Sequence, residues 1–314
     1  MNSGESGTTP AVRLLVPLDD SRQALAALPY ARALATPGTE IVLLSIVPVA
    51  DEVIAGTGQM LVPADQMAVI EESHTREAIE PIAKGLRDAG HQVSVQVAVG
   101  DPAQRIVDIA SSSGATMIVM ASRGRGTLGR LIYGSVADRV ARDAPVPTMV
   151  VRAEQQEQGP VGISRLVVPL DGSSLAEGAL TFAETIARRL GAPIFLVRAV
   201  NPADLMPPAV GMAEAIPYEI YDETEKQMED AADSYLEETA KRLRGEGFSV
   251  ATRVLSGPPA AAIEETTKFG DVTVLVSHER SGVMRWLIGS VAEQLVREDE
   301  SPVILVPAPE HAVS

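Results

Sequence analysis

Glycine and arginine alternate through one short stretch of the chain, Ala121-Ser-Arg-Gly-Arg-Gly-Thr-Leu-Gly-Arg-Leu-Ile-Tyr-Gly-Ser135. Gly124, Gly126 and Gly129 let backbone N–H groups approach a ligand closely, while Arg123, Arg125 and Arg130 bring positive charge into a chain of formal net charge −16. Gly134 and Ser135 then open a helix. Its first N–H groups lack intrahelical partners and its dipole favours an anion, with the Ser135 hydroxyl as one more donor. Phosphate binding is the chemistry such a loop could do. The same residues also suit an exposed turn in which Ser135 caps its helix; the position after a strand and before a helix is what favours the cradle.

Other chemistries find little support. The four histidines, His74, His91, His278 and His311, form no His-Glu-x-x-His pair, and no cysteine is present to act as thiolate ligand or nucleophile. No lysine follows the glycines as a Walker loop would need, and no Gly-x-Ser-x-Gly elbow occurs. Ser135 has no visible base. A binding protein is therefore expected more than an enzyme.

The elements that must position the loop alternate. Leu14 to Leu18, Ile41 to Val47, Val93 to Val99, Met117 to Met120 and Pro147 to Val151 are short β-branched runs that read as strands buried on both faces. Between them Ser21 to Ala35, Ala64 to Ala89, Asp101 to Ser112 and Ser135 to Arg142 carry helical spacing, and Asp101 followed by Pro102 reads as a helix start. Such alternation implies a parallel sheet covered by helices on both sides, with ligands beyond the carboxyl ends of the strands. Function is then sought just after Leu18, Val47, Val99 and Met120. The acidic run from Glu214 to Glu238 reads as a solvated amphipathic helix. The long connections Asp51 to Pro63 and Asn201 to Pro217 suit a cover over a pocket mouth, a partner surface or a disordered insertion.

The whole pattern occurs twice. Arg13-Leu-Leu-Val-Pro-Leu-Asp-Asp-Ser21 returns as Arg165-Leu-Val-Val-Pro-Leu-Asp-Gly-Ser173, and Arg130-Leu-Ile-Tyr-Gly-Ser-Val-Ala137 returns as Arg285-Trp-Leu-Ile-Gly-Ser-Val-Ala292. With 314 residues this gives domains over 1–152 and 164–314, joined by a polar linker over 153–163. The 42 acidic against 26 basic residues disfavour nucleic acid and anionic membranes as partners. MNSGESGTTP lacks the charged-then-apolar order of a signal peptide, and no apolar run is long enough to span a bilayer, so a soluble cytoplasmic protein is expected.

On these residues the chain resembles the universal stress proteins in their tandem-domain form. The resemblance rests on the Val-Pro-Leu-Asp openings, on Gly100-Asp-Pro-Ala103 and on the glycine loop ending Gly-Ser-Val-Ala. It implies two tandem doubly wound α/β domains, each a five-stranded, mainly parallel sheet with helices on both faces. The family's ATP-binding pattern is glycine, two residues, glycine, nine residues, then Gly-Ser or Gly-Thr. Here Gly124, Gly134 and Ser135 match, and Ala121 replaces the first glycine. The implied nucleotide-binding set is Asp19, Ile46, Ala121, Ser122, Arg123, Gly124, Arg125, Arg130, Gly134 and Ser135. In it Asp19 would contact the ribose or a metal-bridged phosphate, and Ile46 would flank adenine. Residue by residue, Asp19 also suits a helix start beside Ser21, and Ile46 suits ordinary strand core. In the second half Val276 and Glu279 stand where the early glycines would be, leaving Asp171, Gly289 and Ser290 as a weaker second pocket. The resemblance implies ATP as ligand, with or without Mg2+, an adenine-nucleotide sensor in stress response, and at most slow hydrolysis. It also implies an intrachain pseudo-dimer through the last strands, a homodimer of whole chains above that, and a protein partner of unknown identity. The alternatives are an interaction module whose phosphate site has decayed, or a slow ATPase.

Overall fold

The computed structural model describes residues 12–19, 21–48, 64–122, 134–153, 161–201, 218–277 and 289–308, with the side chains of 64–68 and 218–221 left aside. The glycine loop at 123–133, its counterpart at 278–288 with Glu279 and His278, the connections at 49–63 and 202–217, the linker at 154–160 and both termini lie outside these residues.

The first half contributes β1 (Arg13–Pro17), α1 (Ala27–Leu34), β2 (Glu40–Val47), α2 (Ala64–Asp88), β3 (Gln92–Val99), α3 (Pro102–Ser112), β4 (Met117–Ser122), α4 (Ser135–Asp143) and β5 (Thr148–Arg152). The second half repeats the order as β6 (Arg165–Pro169), α5 (Ser174–Leu190), β7 (Ile194–Val200), α6 (Tyr218–Gly245), β8 (Val250–Ser256), α7 (Pro259–Thr266), β9 (Asp271–Val276), α8 (Ser290–Glu298) and β10 (Val303–Val306). All ten strands join one sheet, in the order β3-β2-β1-β4-β5-β10-β9-β6-β7-β8. Every pairing within a half is parallel. The two halves meet where β5 runs antiparallel to β10, with Met149 opposite Ile304.

Burial follows from this order. Strands β1, β4, β6 and β9 lie inside the sheet and bury most of their residues, in keeping with their content of Leu, Val, Ile and Met; in β9 Asp271 and Thr273 are buried among them. Strand β3 differs from its reading as a doubly buried strand. It closes one edge of the sheet, its Gln-Val-Ser-Val-Gln-Val alternation leaves most positions half-buried, and β8 does the same at the other edge. Helices α1, α2, α5 and α6 cover one face, over a core that runs continuously from Leu14 and Ile41 through Met149 and Ile304 to Leu166 and Leu196. On the other face α3 and α4 pack on Leu15, Leu44 and Ile118, and α7 and α8 on Val167, Val197 and Leu305.

The segment read as one helix from Ser21 divides. Ala24–Ala26 is a 3₁₀ turn and α1 begins at Ala27. Pro29 has no N–H to bond back into the preceding turn, which suits a place in the first turn of a helix that begins at Ala27.

Candidate functional site

In the first half, β2 and β3 lie to one side of β1 while β4 and β5 lie to the other. The chain order therefore reverses between β1 and β4, and their carboxyl ends part into a crevice. A cavity of about 640 Å³ opens there, between the ends of β1, β2 and β4, the first turn of α4 and one side of α2. Its size falls within the ordinary range for small-molecule sites.

Asp19, Ile46, Ala121, Gly134 and Ser135 all line this cavity. Asp19 follows β1 and is exposed, and its Oδ1 accepts a hydrogen bond from the Ser21 amide at 3.0 Å and another from the Ser21 hydroxyl. The Ser21 hydroxyl in turn accepts from the Ala24 amide at 3.3 Å. Asp19 therefore fixes the turn after β1 with one oxygen, and the other oxygen remains for a ligand. Ile46 is half-buried near the carboxyl end of β2, on the face packed by α3 and α4.

Gly134 forms the N-cap of α4 in extended backbone, and no side chain caps this terminus. Ser135 occupies the first helical position, exposed, so the leading amides of α4 point at the cavity without a side-chain acceptor among the described residues. An anion would complete them. The neighbouring helix is finished differently. Asp101 accepts from the Gln104 amide at 2.9 Å and pairs with Arg139 at 3.0 Å. Those contacts, the amide first, hold its carboxyl below the usual carboxylate range.

Ser122 does not join the set. It is buried, and its hydroxyl donates to the Val151 carbonyl at 3.4 Å, between β4 and β5. Met120 and Ala121, on opposite faces of β4, both line the cavity, and Ser122 is not among its lining residues. Arg123, Gly124, Arg125 and Arg130 lie outside the described residues.

The cavity also includes residues that the sequence reading left out. Ser45, Pro48, Pro102 and Met120 contribute, and α2 adds Glu71, His74 and Thr75. Their spacing, at i, i+3 and i+4 on one helix, was available as a signal, but only the tertiary fold shows that this side, with His74 exposed, borders the cavity.

The second half holds a smaller cavity, about 340 Å³, at the equivalent place, lined by Asp171, Val276, Gly289 and Ser290 among others. Asp171 accepts from the Ser173 amide at 2.8 Å and Ser173 caps α5 through the Ala176 amide at 3.2 Å, repeating the turn at Asp19. The pairing of β1 with β2 and of β6 with β7 makes Arg198 the counterpart of Ser45, and Ala199 that of Ile46. The Arg198 guanidinium stacks over Tyr235, 5.2 Å from the ring centroid, and lies against Gly172. No α6 residue lines this second cavity, among the described residues.

Two doubly wound units with a crevice at each reversal of strand order, each bordered by a helix start without a side-chain cap, define a tandem α/β protein. The universal stress protein family model matches residues 12–152 and again 162–307, and the chain belongs to that family. It is 29% identical over 247 residues to a universal stress protein of Mycolicibacterium smegmatis, covering 75% of this chain and 78% of that one. To a universal stress protein of Mycobacterium tuberculosis strain H37Rv it is 26% identical over 227 residues, covering 71% and 72%. The crystal structure of a universal stress protein from Archaeoglobus fulgidus superposes with a TM-score of 0.66 at 20% identity, over 95% of this chain and 99% of that one. Among the described residues no helix is long and apolar enough to cross a membrane.

Proposed function

We propose that the chain is an adenine-nucleotide-binding regulatory protein whose working site is the cavity of the first half. One observation carries this reading: Asp19, Ile46, Ala121, Gly134 and Ser135, from three strand ends and one helix start, line a single cavity of about 640 Å³. The residues fit such a ligand. The free amides and hydroxyl at the start of α4 would hold a phosphate, Asp19 would accept from ribose hydroxyls, and Ile46 would lie against the base. Arg123, Arg125 and Arg130, with the backbone at Gly124, would supply further positive charge and close approach. ATP, with or without Mg2+, is the ligand proposed; the chain itself would bind and orient it.

The second half would bind nucleotide weakly or not at all. Its cavity is about half as large, Arg198 replaces Ser45, and Glu279 would repel phosphate. Whole chains would further associate as homodimers and signal through a protein partner, without nucleic acid or membrane, in the cytoplasm.

Calorimetric titration of the purified chain with ATP tests the reading. Micromolar binding that Gly124→Glu abolishes is the expected result. Failure of the wild-type chain to bind or carry any adenine nucleotide would overturn it in favour of an interaction module.

A further inference from the structure

The two halves differ most on the side that the long helices contribute. Arg87 Nε donates to the Val93 carbonyl at 3.0 Å and pairs with Glu80, while Arg244 Nε donates to the Val250 carbonyl at 3.1 Å and pairs with Glu237. These matching contacts place α2 and α6 in register. Counting back along each helix, Glu71, His74 and Thr75 of the first half correspond to Met228, Ala231 and Ala232 of the second. A carboxylate, an imidazole and a hydroxyl thus line the larger cavity, where the other half has a thioether and two methyl groups. None of the three polar side chains forms a hydrogen bond or ion pair with another described residue.

The cavity is therefore polarised. At one end the uncapped start of α4 favours an anion. On the α2 side Glu71 repels anions and accepts hydrogen bonds. A ligand that fills both ends must be anionic at one and neutral, with N–H donors, at the other. A purine nucleotide bearing an exocyclic amine has that order of groups; a 6-oxo purine presents a carbonyl oxygen where the amine would be.

We propose that Glu71, with His74 and Thr75 beside it, reads the amino-bearing edge of the base, so that the site selects a 6-amino purine over a 6-oxo purine. The inference rests on the nucleotide reading above. It goes beyond it by assigning specificity to α2, a helix that carries none of the glycine motif.

The test is titration of the full chain with ATP and with inosine triphosphate, whose base carries an oxo group at C6 and a proton on N1 where adenine carries the amine and a bare nitrogen. The wild-type chain is expected to prefer ATP by about tenfold or more, the size of one charge-assisted hydrogen bond lost and one repulsion gained. Glu71→Gln puts an amide there that can donate to the carbonyl oxygen, and the preference is expected to fall to within about threefold. Glu71 is only half-buried, so an unchanged melting curve should accompany that loss of discrimination. Equal wild-type affinities, or a preference that survives Glu71→Gln, would overturn the assignment of α2 while leaving the nucleotide reading intact. Binding of neither nucleotide would overturn both.

Discussion

Asp299 is the residue whose environment is most at odds with its chemistry. It ends α8, only 1% exposed, with Oδ1 accepting from the Ser301 amide at 2.8 Å and the Thr267 hydroxyl at 3.1 Å. Its Oδ2 is buried with no partner. Burial, with a smaller contribution from Glu264, pushes its carboxyl from 3.8 up to about 6. A group raised in the native state favours folding while neutral, so its contribution is complete below about pH 4 and disappears as the pH rises through about 6. Asp299→Asn should remove this pH dependence. Urea melts at pH 4.5 and 7.5 would show the variant gaining stability relative to wild type at the higher pH, by on the order of 2 kcal/mol. Arg165 presents the opposite case. It grips the buried Asp271 with two hydrogen bonds, at 2.9 and 2.7 Å, and stacks 4.2 Å over Phe195. Arg165→Met would strand a buried carboxylate and should cost on the order of 3 kcal/mol in chemical denaturation.

At the scale of elements, the turn that follows β1 recurs after β6 in nearly identical form, and the hydroxyl in it carries a structural duty in both halves. Ser173→Ala removes the cap of α5 and is expected to cost about 1 kcal/mol, read as a lower denaturation midpoint with unchanged slope. Most of the strands were legible because interior parallel strands are apolar at every position. The same rule misled at Val93 to Val99, where Gln92, Ser94 and Gln96 mark an edge strand in their alternation. That Asp19, Ile46, Gly134 and Ser135 would come together at one crevice was legible through the repeat and the strand–loop–helix order, and they line one cavity. Ser122, adjacent to Ala121 in the motif, instead has its hydroxyl bonded to the Val151 carbonyl, a contact that only the pairing of β4 with β5 reveals. Glu71, His74 and Thr75 escaped because a polar face on an acidic helix looks solvated until its neighbours are known. The place of Arg198 was equally hidden, since only strand register aligns it with Ser45.

The whole molecule turns on the antiparallel seam between β5 and β10. Thr148 faces Leu305 and Val150 faces Val303, placing a local twofold through Met149 and Ile304. The polar contacts between the halves are not matched in kind: from the second half Arg189 of α5 donates to the Thr36 and Thr39 hydroxyls, at 2.6 and 3.2 Å, and the first half makes a different one. Arg152 reaches from the end of β5 to the carbonyls of Glu298 and Asp299, at 2.8 and 3.3 Å, at the close of α8. The counterpart of Arg152 is Pro307, which has no side-chain donor, and that of Asp299 is Ala144. Arg152→Ala should therefore lower the melting temperature by about 2 to 4 °C, whereas Pro307→Ala should leave it nearly unchanged in the same calorimetric scan.

Because both strands of the seam belong to one polypeptide, dilution does not part them; tethering keeps their effective concentration on the order of millimolar. In an assembly of identical subunits every substitution at a twofold interface is felt twice. Here it is felt once. Covalent union thus frees each flank of the seam to change alone, and a guanidinium at one end with a proline at the matching place on the other is the mark of that freedom.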